Sequence, residues 1–158
     1  MVGIDHRAAH TPTPEWLDRL QTNGYRLTSP RRAVVEIIAQ SQWVLSPLDV
    51  FEQARSHYPH LGLVTVYRTF EKLEELGLIQ RVHQPSGCHA FIAAVPGHQH
   101  PIICQDCGRV EFLDGDKLDQ LVSPVGLESG YQINEHWLQL FGICAECKSA
   151  TLADIKEG

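Results

Sequence analysis

No run in this 158-residue sequence approaches the ~20 consecutive apolar residues that a helical membrane span requires, so no membrane partner is expected. The opening MVGIDHRAAH lacks the apolar stretch of a signal peptide, which makes the cytoplasm the expected location. Internal repeats and low-complexity tracts are missing too, apart from a pair of cysteine motifs. Basic side chains are outnumbered, 13 Lys and Arg against 19 Asp and Glu, for a formal net charge of -6. That balance would ordinarily argue against a nucleic-acid partner, but it is uneven along the chain. Residues 1–83 hold nine basic and nine acidic side chains, whereas residues 84–158 hold four and ten. The acidic excess lies wholly in the second part, so the total does not exclude DNA binding by the first. What the chain does have is 43% hydrophobic residues, including three Trp, enough for one or two small cores and too many for a disordered chain.

Four of the five cysteines form two C-x2-C units, Cys104-Gln-Asp-Cys107 and Cys144-Ala-Glu-Cys147, separated by the 36 residues from 108 to 143. A tetrahedral zinc takes four soft thiolates, and a two-residue spacer lets both sulfurs of a knuckle turn toward one ion. Gly108 suits the tight turn that follows the first pair. A structural disulfide fits poorly with a chain that lacks a secretion signal, and a redox C-x-x-C needs only one pair within a βαβ pattern. A structural zinc site made of four cysteines is therefore expected. Cys88 is left over, either a small buried hydrophobe or a further ligand.

The first part is punctuated as short helices. Thr13-Pro14-Glu15 opens one of about ten residues, with Trp16, Leu17 and Leu20 inward and Gly24 as its stop. Ser29-Pro30 opens a second with Val34, Ile37 and Ile38 as its stripe, ending near Ser41. Ser46-Pro47-Leu48-Asp49 opens a third with Leu48, Phe51 and Ala54 inward. A fourth, from Val64 to Leu76, carries Val66, Phe70, Leu73 and Leu76 on one face and Thr65, Arg68, Thr69 and Lys72 on another, stopping at Gly77. Strands over 78–83 and 89–92 flank a turn at 84–87. Helices followed by a small hairpin are the pattern of a winged helix-turn-helix. Pro96-Gly97 breaks the chain. Beyond it, strands are expected at Ile102-Ile103, at Val110–Leu113 and over Tyr131–Ile143, with a short helix from Lys117 to Val122 ended by Pro124. In the last strand His136, Leu138 and Leu140 alternate with Trp137 and Phe141.

A helix-turn-helix reads DNA with the start of its second helix, where short and forked side chains reach base edges. Thr65, Tyr67 and Arg68 occupy the first turns of the fourth helix: Arg pairs with guanine or phosphate, and a Tyr ring or Thr methyl packs on a thymine methyl. Tyr25, Arg26, Arg31 and Arg32 cluster at the start of the second helix, as phosphate contacts that set position do. A solvated polar face or a protein-binding winged helix shows the same pattern.

Gly62-Leu-Val-Thr-Val-Tyr-Arg68, His98-Gln-His100 before Cys104-x2-Cys107-Gly108, and Cys144-x2-Cys147 together resemble the ferric uptake regulator family of metal-responsive repressors, from about Trp16 to Cys147. The resemblance is greatest to its zinc uptake regulator branch. It implies an α+β chain with an N-terminal winged helix-turn-helix domain over 1–93, a hinge over 94–97, and a small C-terminal α/β dimerisation and metal-binding domain over 98–158 with the four-cysteine structural zinc. It also implies a homodimer on near-palindromic operator DNA that represses metal uptake genes, and no enzymatic activity. A regulatory divalent ion is implied at His83, His98, His100, Glu111, Asp119 and His136, with Cys88 and His89 as further candidates. The match is not complete. The His that iron-sensing members place before the third helix falls at Trp43-Val44, their Glu after the second wing strand at Ile92, and the Cys of zinc-sensing members near Ala94. The available set is rich in imidazole, which suits Zn over Mn; His suits Fe(II) as well, and Zn is the regulatory ion expected ahead of Fe(II). His6, His10, His57 and His60 are expected to be inert surface residues.

Three other readings compete with a zinc sensor. A zinc deaminase would need H-x-E followed by P-C-x-x-C, but Ala90 and Phe91 follow His89, and Pro101 lies three residues before Cys104. A non-sensing zinc-ribbon module would hold one zinc per chain. An iron-responsive member of the same family would call for the hinge ligands that fall here at Trp43-Val44 and Ile92, and a peroxide-responsive member for an iron site with more carboxylate.

Overall fold

The computed structural model describes residues 13–83 and 89–156, apart from the side chains of 89, 116–119, 121 and 151–156. They divide into two compact units, one running to Val95 and the other starting at Pro96.

The first unit begins with α1 (Thr13–Thr22), α2 (Ser29–Gln40), α3 (Pro47–Arg55) and α4 (Leu63–Glu75). A hairpin of β1 (Ile79–His83) and β2 (His89–Ala93) follows, paired antiparallel from Ile79↔Ala93 to His83↔His89. The residues between its strands, including Cys88, lie outside those described. Apolar residues at helical spacing converge on one core: Trp16 and Leu20 from α1, Val34 and Ile38 from α2, Val50 from α3, and Val66, Phe70 and Leu73 from α4. The Phe70 ring meets Phe91 edge-on at 5.1 Å between centroids, which joins α4 to the hairpin. Leu45 exchanges backbone hydrogen bonds with Phe91, both of 2.9 Å, so a short extended piece between α2 and α3 also lies against β2.

Helix starts follow the punctuation of the sequence to within one residue. Ser46 and Asp49 form a reciprocal capping box: the Ser46 hydroxyl accepts from the Asp49 N–H at 3.2 Å, and the Ser46 N–H donates to Asp49 Oδ2 at 2.7 Å. Thr28, not Ser29, is the cap residue of α2, because Pro30 is accommodated in the first turn with Ser29 already helical. Two facing assignments are corrected. Leu48 is 50% exposed, since α3 turns Pro47, Val50 and Ala54 inward. Thr69 is fully buried in place of a position on the polar face of α4. Its hydroxyl donates to the Thr65 carbonyl at 2.8 Å and bonds Tyr25 Oη at 2.9 Å, which satisfies it inside.

The second unit contains β3 (Gln99–Cys104), β4 (Val110–Asp114), α5 (Asp116–Ser129), β5 (Leu140–Gly142) and α6 (Ala145–Lys156). The sheet order is β4-β3-β5, with β3 antiparallel to β4 and parallel to β5. The expected short helix is longer than the sequence suggested. Pro124 sits inside α5 and removes one backbone donor without ending the helix, and Gly130, at φ 73, supplies the left-handed stop. The long strand over 131–143 shrinks to three residues, Leu140–Gly142, because only these find a neighbour in β3. Residues 131–139 are irregular and leave Tyr131 and Trp137 exposed. Helix α6 carried too weak an apolar stripe to be read from sequence. No helix among the described residues is long and apolar enough to cross a membrane.

Candidate metal centres and DNA-facing residues

Two turns bring the four cysteines together. Cys104 ends β3, and Gly108, at φ 71, folds the knuckle back so that its N–H donates to the Cys104 carbonyl at 2.9 Å. Cys144 and Cys147 flank the start of α6. All four sulfurs lie within 4.8 Å of one another, with Cys104–Cys147 and Cys107–Cys144 both at 3.9 Å. A tetrahedral zinc with 2.3 Å bonds places its sulfurs about 3.8 Å apart, so the cluster has the size of a four-thiolate zinc cage.

Its electrostatics point the same way. The Cys107 N–H holds the Cys104 thiol down to about 6 despite burial, helped by the N–H groups of Cys144 and Asp106. The Cys144 N–H stands 3.3 Å from Cys104 Sγ. By contrast, the Cys144 thiol and burial push Cys147 up. Four thiolates cannot coexist there without a cation, and a divalent ion bonded to all four sulfurs offsets half of their charge. Arg109 spans the two knuckles. Its guanidinium pairs with Glu146, which raises Arg109 and lowers Glu146, and its Nε lies 3.7 Å from Glu111.

A second cluster lies in the same unit. His98 immediately precedes β3 and His100 is its second residue, while His136 comes from the irregular segment before β5. His136 Nε2 is 3.0 Å from His98 Nε2 and 3.2 Å from His100 Nε2. Zinc bonds to imidazole of 2.0–2.1 Å would set these nitrogens about 3.3–3.4 Å apart at the tetrahedral angle. Three ring nitrogens this close to one another therefore fit a single cation. His100 is buried, His136 half-buried and His98 exposed. A groove of about 1070 Å³, lined by Gly126, Tyr131, Ile133 and Trp137 among others, opens onto His98 and His136.

The other expected ligands are placed differently. Glu111 lies opposite Ile102 on β4, beside Arg109, and is not part of the histidine group. His83 ends β1 in the first unit, exposed and with His89 as its strand partner. Asp119 falls in α5 and His89 in β2, with side chains outside those described, and Cys88 lies outside altogether.

On α4, Tyr67 and Arg68 are exposed and Thr65 is half-buried. Val64, which sequence reasoning passed over, is 66% exposed one turn before Tyr67; that spacing on a helix was the available signal. Tyr25 is an internal strut: its hydroxyl meets Thr69, its ring packs against the core, and the Arg31 guanidinium stacks 4.9 Å above it. Arg31 also donates to the Arg26 carbonyl at 2.9 Å, while Arg26 and Arg32 are exposed. Hydrogen bonds through Thr69 and the stacking of Arg31 on Tyr25 thus link the basic start of α2 to the head of α4.

Comparison with known proteins gives a consistent picture. A sequence model described as "Ferric uptake regulator family" matches residues 22–141. The ferric uptake regulation protein of Cupriavidus metallidurans is 36% identical over 129 residues, covering 80% of this chain and 90% of the relative. The peroxide operon regulator of Bacillus subtilis is 26% identical over 140 residues, covering 89% and 95%. Among solved structures, the Vibrio cholerae ferric uptake regulator superposes with a TM-score of 0.64 at 26% identity, covering 80% of this chain and 98% of that one. A zinc uptake regulator solved with zinc and DNA has the same fold, with a TM-score of 0.63 at 22% identity over 90% and 99%.

Proposed function

Because the chain belongs to the ferric uptake regulator family, whose members are metal-responsive transcription regulators that bind DNA as dimers, we propose that it is a zinc-responsive repressor. In this reading it acts in the cytoplasm as a homodimer on near-palindromic operator DNA and controls metal uptake genes. The observation that carries the choice of zinc over ions that prefer oxygen is the trio of imidazole nitrogens of His98, His100 and His136. Nitrogen donors in a compact trio suit Zn over ions that prefer oxygen. Cys104, Cys107, Cys144 and Cys147 would hold the structural zinc, whose 2+ charge offsets half that of their thiolates. Asp119, Glu111, His83, Cys88 and His89 stay as further ligand candidates from the sequence.

The reading assigns DNA contact to residues 1–93, hinge motion to 94–97, and dimerisation and metal binding to 98–158. Arg68, Tyr67 and Thr65 would face base edges, and Arg26, Arg31 and Arg32 phosphates, with Tyr25 bracing Arg31. The exposure of Leu127, Tyr131 and Trp137 supports a covered face in the second domain. A difference of ~3 kcal/mol in regulatory-ion affinity between two dimer arrangements would change operator occupancy more than a hundredfold.

Elemental analysis of purified protein, before and after mild chelation and after re-addition of Zn or Fe(II), tests the reading. One chelator-resistant Zn per chain plus an exchangeable ion, Zn held more tightly than Fe(II), is expected. Tighter Fe(II) would move the chain to the iron branch, and one Zn with nothing further would remove sensing. In operator titrations, Arg68→Ala should weaken binding at saturating metal, whereas His98→Ala should raise the metal concentration required.

A further inference from the structure

We propose that Gly115 is a positioning residue for the three-histidine site, because only a residue without a side chain lets the His98 ring reach His136. The claim rests on reading that trio as a metal site. Gly115 is buried between β4 and α5, at φ -72 and ψ -21. Any L residue adopts those angles, so backbone conformation does not explain the glycine. Close approach does. A Cβ at this position would lie 2.6 Å from His98 Cγ, 2.7 Å from its Nδ1 and 2.7 Å from its carbonyl oxygen.

None of these atoms can swing aside freely. Cγ is the root of the ring, and moving it moves Nε2, which now stands 3.0 Å from His136 Nε2. The carbonyl is fixed as well, since it accepts the Gly115 N–H at 2.8 Å. An added methyl therefore pushes on both the ring and the peptide that carries it. Metal–nitrogen bonds tolerate about ±0.2 Å, and relieving contacts of 2.6–2.7 Å takes a shift several times larger. Gly115 also immediately precedes α5, the helix on which Asp119 falls, so the same contact sets where that helix starts against His98.

The test uses the full chain with zinc kept in the four-cysteine site and titrates Co(II) into the remaining site. Bands of d–d type without thiolate-to-cobalt charge transfer report the histidines. Gly115→Ala and Gly115→Ser, which share the added Cβ, should each lower Co(II) affinity at least tenfold and change the band pattern, with one zinc per chain retained. Gly62→Ala, in the other unit, serves as the control, because a Cβ there meets nothing within 4 Å; it should bind Co(II) as the unaltered protein does. In protein holding only the four-cysteine zinc, the His98 ring correlations in NMR should move in Gly115→Ala while those of His57 stay. Co(II) binding within twofold of the unaltered protein would overturn the proposal, and so would loss of the four-cysteine zinc along with it. If the unaltered protein takes no Co(II) beyond its zinc, the metal reading of the trio fails. Unmoved His98 signals would separately refute the packing claim.

Discussion

Removing zinc from the four-cysteine site should unfold the unit that starts at Pro96 and leave the other folded. The expectation comes from how little apolar surface that unit encloses. Proline aside, among the described residues it buries Ile103, Cys104 and Val110 as apolar side chains, against twenty in the first unit. At ~1.5–3 kcal/mol for each buried side chain, three contribute about 5–9 kcal/mol. A structural zinc contributes ~10–16 kcal/mol in small zinc-binding domains, so here the ion outweighs the core. Hydrogen exchange read by mass spectrometry, on protein treated with chelator and reductant and shown by elemental analysis to be metal-free, separates the two units. Amides of β3 and β4 should exchange as in an unfolded chain, while those of α2 and α4 keep their protection. Trp16, 1% exposed, should keep its buried emission. Persistent protection in β3 and β4 at zero metal would refute the reasoning, because the remaining contacts would then suffice.

Two changes in the first unit test its core and its link to DNA. Phe70→Ala removes a fully buried ring and its edge contact with Phe91, and should cost ~3–5 kcal/mol in denaturant unfolding without altering metal content. Thr69→Val keeps the shape but deletes the hydroxyl that joins Tyr25 to α4; it should cost ~1 kcal/mol and, by loosening the Tyr25 ring under Arg31, weaken operator binding severalfold in a fluorescence titration.

Periodicity and punctuation carried most of the first unit. Ser46-Pro47 and Asp49 state a helix start in local chemistry, and Val66, Phe70 and Leu73 state a buried face, so nothing distant had to be known. Thr69 misled because its polarity is satisfied by Tyr25, 44 residues away, a partner no local pattern displays. The second unit was harder for the same reason. Tyr131–Ile143 alternates like a strand, yet a strand needs a neighbour, and β3 offers one only to Leu140–Gly142. Pro124 read as a stop, but a helix tolerates one missing donor. The cysteine spacing declared its cluster outright. The histidine trio came from the family resemblance, and its dependence on Gly115 was invisible, because a glycine needed for close approach looks in sequence like any turn glycine.

The two clusters share their supports, and this gives them unequal standing. β3 carries His100 at one end and Cys104 at the other, about 13 Å apart at 3.3 Å per residue. The returning stretch does the same, with His136 four residues before β5 and Cys144 two after it. Ion binding by the cysteines ties the two ends where Cys104 pairs with Gly142 and the Gln105 N–H donates to the Gly142 carbonyl at 2.8 Å. That register delivers His136 to His100. The reverse does not hold, since the β3–β5 ladder contains no histidine contact. Cys144→Ser should therefore lose both ions, while His100→Ala should lose the exchangeable one and keep one zinc per chain. An exchangeable ion bound with unaltered affinity in Cys144→Ser would show that the histidines find one another without the cysteine site, and the two clusters would then be independent.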